Sequence, residues 1–510
     1  MKQKDSLTIC PQKNNDCHQR QEEGNKMWMK NFILEHIYAI ICILAVLVYL
    51  VTAINSVGYI HPDEHFQIIE FAQWKLGNNT SRALAWEYGS QIRPTLQPVL
   101  AMGVFRCCGW VGMDNPFHQA TLLRIMMALL MLLATGYYVR AAKEEVFPRY
   151  HSAFYALSLL FWLLPVINVR FSSETMSSLC LLLLLANMVK YKLPTPLCAF
   201  MMGVVAGLGF EFRFQFAFAL LGLGLWALLV CRYGWRAILS VLGGFTVVIL
   251  SCTLLDSWFY GNFVFTPYQY FHVNIIEKVA ANFGVSPWYG FLLMLLYVPT
   301  LIFGIALLLS LVIGSVRHYR SPMVWAFMSF LICHSLVAHK ELRFLFPVMP
   351  LVPLFLIWGY ETVGKHLNKV LKVVLLFLLF TVNTGGLVLM MSKPAGEGKT
   401  AMMQYVCSQS RAPQGVTLSA TEESNPFWES YLVPDFYQWS PVRVDNIDAL
   451  PHEKKGTVVV LTPNDSVHRE RILRQGFVET YRSVPQWLEK LNAFYQTYDA
   501  GRVLIAYEKE

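Results

Sequence analysis

From Phe32 to Met391 the chain alternates long apolar runs with short polar stretches. Many runs approach the roughly 20 residues a helix needs to cross about 30 Å of hydrocarbon. Spans are expected near 36–55, 120–139, 152–168, 174–189, 196–210, 214–231, 237–256, 289–315, 323–338, 344–360 and 373–391. The segment 96–112 is also apolar, but Pro98, Gly103, Arg106 and Gly109 interrupt it. It reads as a re-entrant or interfacial helix, with a twelfth span as the alternative. Beyond Met391, GTVVVLT (456–462) and RVLIAY (502–507) have the character of buried strands, and VHRERILRQG (467–476) reads as a helix ending at Gly476. The expected fold class is a polytopic α-helical membrane protein of about eleven transmembrane helices, followed by a small soluble α/β domain.

Composition agrees. Of 510 residues 55% are hydrophobic and 15% charged, against about 25% charged in an ordinary soluble domain. The net charge of +8 calls for no nucleic-acid partner, because the basic residues sit in short loops between spans. With eleven spans, Arg140, Lys143, Arg149, Lys190, Lys192, Arg317 and Arg320 share the side of the basic N-terminus, as the positive-inside tendency requires. Counting 96–112 as a span would invert that bias. The expected divisions are a cytoplasmic tail at 1–31, a membrane region at 32–391 with a first outer loop at 56–119, and a non-cytoplasmic domain at 392–510. The first run is too long for a signal-peptide core and reads as an uncleaved anchor. Most cysteines lie in apolar runs as small hydrophobes, without metal-binding spacing.

In this arrangement the unusual polar clusters gather on the outer face: HPDEH (61–65), RFSSE (170–174), EFRF (211–214), residues 255–274 and AHKELRF (338–344). That suits an enzyme or receptor with one active surface, whereas a transporter needs a polar path near the midplane. The ordinary reading of HPDEH is a helix cap, with Pro62 ending the span and Asp63 and Glu64 in the first turn. The functional reading turns one carboxylate into a pocket. AHKELRF is either a solvated turn with an internal ion pair or an anion site, with Arg343 as a bidentate fork and His339 and Lys340 as further donors. Arg213, and more weakly Arg93, invite the same reading. The aromatic stretch 255–274 fits an interfacial belt, or a surface for sugar rings and isoprenoid chains.

Taken in order, HPDEHFQ (61–67), DSWFYGNFVFTPYQYFHVN (256–274), SPWY (286–289) and HKELRFLFP (339–347) resemble the GT-C superfamily mannosyltransferases of glycosyltransferase family twenty-two. These build glycosylphosphatidylinositol anchors and lipid-linked oligosaccharides, and the glycosylphosphatidylinositol branch is the one most resembled. The match covers about residues 36–350 and departs at Arg213-Phe214-Gln215, where many relatives carry Arg-Pro-Thr.

The resemblance implies a GT-C-type catalytic region. Its enzyme moves a hexose, mannose in this family, from polyprenyl (dolichyl) phosphate to a hydroxyl of a glycan or glycolipid. The reaction inverts the anomeric centre and yields an α-glycoside. A eukaryotic member would reside in the endoplasmic reticulum membrane and a bacterial one in the inner membrane, with the site on the non-cytoplasmic face. On this reading Asp63 is the general base and Glu64 assists it, while His339, Lys340, Arg343 and Arg213 receive the leaving lipid phosphate. His61, Gln67, Arg93, Asp256, Tyr260, His272 and Glu341 are the expected substrate contacts. One base suffices because a phosphate leaves without a proton, unlike the alcohol of a glycosidase reaction. No cofactor or metal ligand is assigned, although an Asp-Glu pair beside a phosphate also suits a divalent cation. The runner-up function is a transporter or flippase of lipid-linked sugars.

Overall fold

The computed structural model describes residues 36–410, 415–448, 456–495 and 498–509; the tail expected at 1–31 lies outside the described residues. Each of the eleven expected runs is helical, but several are interrupted. The run 152–168 is split into His151–Leu160 and Leu164–Asn168, and 289–315 into Gly290–Tyr297 and Leu301–Arg317. The second break contains Pro299, which has no N–H to donate, and Thr300 at φ 75°.

Five helices are long and apolar enough to cross a membrane: His36–Asn55, Pro116–Glu145, Trp235–Tyr260, Leu342–Val363 and Lys369–Ser392. The chain is an integral membrane protein on this ground. Pro196–Phe212, Phe214–Leu229, Leu301–Arg317 and Pro322–Leu336 are apolar but shorter. Leu96–Trp110 has 15 residues; at 1.5 Å per residue it reaches only about 22 Å.

Pro196–Phe212 lies along Trp235–Tyr260 at close range. A Cβ on Gly203 would stand 2.0 Å from the Val241 carbonyl, and one on Gly244 would stand 2.1 Å from that of Phe200. Small residues permit such backbone approach between membrane helices. Inside the bundle Trp358, Tyr138, Phe216, Phe291, Phe327 and Phe330 are fully buried, whereas Ile43, Leu133, Leu254 and Phe377 face outward.

The C-terminal segment forms a five-stranded mixed sheet. Its strands are β1 (Val416–Ala420), β2 (Val442–Asn446), β3 (Thr457–Leu461), β4 (Val478–Arg482) and β5 (Ile505–Glu508), in the order β2-β1-β3-β5-β4. The first three are mutually parallel, and β5 runs antiparallel to β3 and β4. The expected helix is Ser466–Arg474, with Gly476 at φ 88° after it.

The sheet segment shares a core with the first loop region: Phe66, Phe71, Phe105 and Phe117 pack in one cluster with Met402, Phe427, Phe436 and Tyr437. Hydrogen bonds stitch the two together. Asp435 accepts from the Thr80 amide and hydroxyl at 2.8 and 2.6 Å, and the Phe436 amide donates to Glu70 at 3.0 Å. The stretch carrying Asp63 is thereby backed from behind.

Candidate active site

The site begins with a capped turn. His61 is extended, at φ −135° and ψ 144°, and its Nδ1 accepts from the Asp63 amide at 3.2 Å. Pro62 opens the turn Pro62–Glu64, which runs into a buried π-helical turn, His65–Ile69. Such turns are frequent at functional sites because they rotate side chains off the helical register. Here Gln67 reaches Glu87 at 2.8 Å, while His65 bonds Glu70 at 2.8 Å and stacks between Tyr59 and Tyr437.

Asp63 and Glu64 go separate ways. Glu64 accepts from Arg170 at 2.8 Å and from the Ile60 amide at 3.1 Å. Arg170 also donates to Ser56 and the Gly58 carbonyl, so Glu64 is locked into the framework. The Asp63 carboxylate instead meets Arg343 at 2.9 Å and Arg93 at 3.7 Å, and its side chain keeps 27% exposure. Arg343 is further held by Glu341 at 2.5 Å and Glu174 at 3.4 Å; Glu174 pairs with Arg213 at 2.8 Å. Glu87 approaches Arg93 at 3.3 Å. The result is a chain of alternating charge, Glu87–Arg93–Asp63–Arg343–Glu174–Arg213. His339 and His61 join it through Glu341, at 2.7 and 3.4 Å.

The electrostatics follow from this alternation. Burial works to raise the Asp63 pKa, but Arg343, the His61 hydrogen bond and Arg93 outweigh it and hold the carboxyl well below its usual range. Glu341 is also buried, yet its bonds to Arg343 and His339 pull it down to about 2. For Glu87 burial prevails over Arg93 and the pKa rises. Asp63 is therefore an ionised carboxylate whose basicity is suppressed by its partners.

Asp63, Arg93, Arg213, Arg343, His339 and Glu341 stand around one cavity of about 540 Å³. Phe218, Ile275, Phe283, Leu336 and Phe344 give it apolar walls. His61 also lines it. Charged groups and greasy walls thus share one space, a combination suited to an amphipathic ligand with an anionic head.

Five expected contacts lie outside this wall, Gln67 among them, held by Glu87 at 2.8 Å. Lys340 is buried and donates to the Val337 and Ser286 carbonyls at 2.5 and 3.1 Å, pinning the loop instead of facing the cavity. Asp256 accepts from the Thr95 amide and hydroxyl at 2.8 and 2.6 Å and from Thr266 at 2.5 Å. The Tyr260 hydroxyl donates to the Arg93 carbonyl at 2.8 Å. These two fix the Arg93–Thr95 turn from behind. His272 pairs with Glu277 at 3.1 Å, is 40% exposed, and takes no part in the cavity wall.

Arg170 and Glu174 are the two ends of the RFSSE cluster (170–174) noted in the sequence, where neither was given a role. Glu87 carried no signal in the sequence.

Among the described residues no group of three or more His, Cys, Asp or Glu side chains is disposed to hold a metal ion. The Asp63–Glu64 pair does not fit a shared cation, because each carboxylate is committed to a different arginine.

Comparison with known proteins adds sequence and fold relatives. A curated GPI mannosyltransferase 3 of Candida albicans is 25% identical over 215 residues, 41% of this chain and 39% of that protein. The GPI mannosyltransferase 3 of Drosophila melanogaster is 26% identical over 328 residues, covering 62% of this chain and 54% of its own length. The chain thus spans about half, or less, of these relatives. The crystal structure of ArnT from Cupriavidus metallidurans bound to undecaprenyl phosphate superposes with a TM-score of 0.52 at 15% identity, covering 92% of this chain and 98% of that one. This neighbour shows a likeness of fold. Residues 38–409 match the family described as the Alg9-like mannosyltransferase family, and the chain belongs to that family.

Proposed function

We propose that this protein transfers a hexose, mannose on the family reading, from a polyprenyl (dolichyl) phosphate to a hydroxyl of a glycan or glycolipid, forming an α-glycoside with inversion. The observation that carries the reading is the 2.9 Å pairing of Asp63 with Arg343 on the charged part of the wall of a largely apolar cavity. The relatives' mannosyltransferase names and the undecaprenyl phosphate held by ArnT support the substrate class.

The acceptor oxygen attacks the anomeric carbon as Asp63 takes its proton, within hydrogen-bond reach. The bond from that carbon to the phosphate oxygen breaks, and its electron pair leaves with the lipid phosphate. Arg343 and His339 receive the growing charge, with Arg213 behind them, as preorganised electrostatic stabilisers. Glu341 and Glu174 hold Arg343 in place.

Donor binding would also tune the base. Before the donor arrives, Arg343 is paired with Asp63. A phosphate that draws on the same guanidinium returns basicity to the carboxylate when the acceptor needs it.

In the membrane we propose eleven crossings, with 1–31 cytoplasmic and the cavity and the 392–510 segment on the non-cytoplasmic side. The positive-inside bias of the loops supports this arrangement.

The deciding experiment incubates purified full-length protein with mannosyl polyprenyl phosphate and a panel of acceptor glycosides. A new α-glycoside, absent with Asp63→Asn, is the expected product. Lipid movement across a vesicle bilayer without any glycoside would mark a transporter instead.

A further inference from the structure

A second compartment of about 40 Å³ adjoins the main cavity and shares Asp63, Arg93 and Arg213 with it. Its other walls include Gln67, Gln97 and Glu211. Glu211 is 1% exposed and Gln97 4%. Glu211 Oε2 and Gln97 Nε2 have no hydrogen-bond partner, nor do the Nε atoms of Arg93 and Arg213. A buried polar atom without a partner costs about 1–3 kcal/mol, so such atoms are rare and call for a reason. Here four of them border one space.

We propose that this compartment is a subsite for a single hydroxyl of a hexose ring, with Glu211 accepting its proton in a hydrogen bond and Gln97 donating to its oxygen. A hydroxyl both donates and accepts, as these two groups require. The volume holds one or two oxygen-sized groups and not a ring. The charges around it exclude the alternatives: Arg93 and Arg213 oppose a cation, while Asp63, Glu64 and Glu174 oppose an anion. What remains is a small neutral group that both donates and accepts: a sugar hydroxyl, or the water that the hydroxyl displaces on binding. Because Asp63 borders both compartments, the hydroxyl belongs to a sugar at the reacting centre, either the transferred hexose or the acceptor. The inference rests on the proposed transferase reading and deepens it, naming Gln97 and Glu211 as residues that select the sugar.

The test is equilibrium binding to the full-length protein in detergent micelles. The probes are bare polyprenyl phosphate, the same lipid carrying mannose, and a soluble acceptor glycoside. The variants are the isosteric Glu211→Gln and Gln97→Leu, which carries the test alone if the first does not fold. Both should bind one sugar-bearing probe about tenfold more weakly, the scale of one lost hydrogen bond, with bare polyprenyl phosphate unaffected. A loss confined to the mannosyl lipid assigns the donor ring, and one confined to the glycoside assigns the acceptor. Unchanged binding of every probe, or an equal loss for the bare lipid, overturns the subsite. The two readings fail separately. A wild type that binds sugars selectively but forms no glycoside sinks the transfer and keeps the subsite, whereas normal transfer and binding by both variants sinks only the subsite.

Discussion

Asp63 sits between two guanidinium groups, and its acid–base behaviour follows from that position. Asp63→Asn should lower the transfer rate by about 10²–10⁴-fold, the usual cost of losing a general base, while gel filtration shows an intact protein. The pH dependence has a definite sign. The folded-state pKa values of Asp63 and Glu341 lie below their ordinary values, so their ion pairs stabilise the fold fully above the unfolded-state range near pH 4. That stabilisation is lost as pH falls through the folded values, with Glu341 at about 2. The thermal midpoint of the solubilised protein should therefore not vary with pH through these groups between pH 7 and about 5.5, fall below about 5, and fall less steeply in Glu341→Gln. Glu174 and Arg213 form a pair in which each side chain is 5% exposed. Removing one partner strands a buried charge, at about 3–5 kcal/mol. Glu174→Ala should be destabilised on that scale in chemical denaturation, and the Glu174→Met, Arg213→Met double variant should recover much of the loss.

Between secondary-structure elements, legibility depended on how far apart the partners lie in the chain. HPDEH and HKELRF were visible because charge beside an apolar run stands out, and their side chains do meet at Asp63 and Arg343. Composition marks polarity but not direction. Lys340 has the chemistry of a phosphate ligand, yet the chain turns it back onto the Val337 carbonyl. Asp256 and Tyr260 were legible as unusual and misread as groove residues, since only the fold shows them bracing the Arg93–Thr95 turn. Glu174 resembles any first-turn carboxylate beside a Ser172 cap, and its partner Arg213 is 39 residues away. The helix crossing at Gly203 and Gly244 was equally silent. It yields a prediction: Gly203→Ile or Gly244→Ile should cost about 1–3 kcal/mol by overpacking. Gly136→Ile, where a Cβ meets nothing within 4 Å, should be near neutral in the same thermal-unfolding assay.

Across the whole chain, the sheet-bearing segment looks at first like an appendage, since the tail carries none of the motifs that mark the site. Its contacts argue otherwise. Tyr437 stacks on His65, two residues beyond Asp63, and the Phe436 amide and Asp435 carboxylate bind Glu70 and Thr80. Tyr59, just before the capped turn, reaches Glu429 at 3.1 Å. The turn carrying Asp63 is thus clamped by residues up to about 370 positions downstream, and the charge chain needs that turn within about 3 Å of Arg343. Loosening the clamp should misplace the base without unfolding the membrane bundle, and an ångström of misplacement can cost about a hundredfold in rate. Tyr437→Ala combined with Asp435→Ala should therefore lower kcat far more than it raises KM for the donor, because Arg343 and His339, the proposed phosphate ligands, are carried by a different stretch of chain, 339–343. Protease cleavage should become faster in the 56–119 segment and stay unchanged in the loops between later helices. If the double variant keeps its parent kcat, the sheet segment plays no part in positioning Asp63.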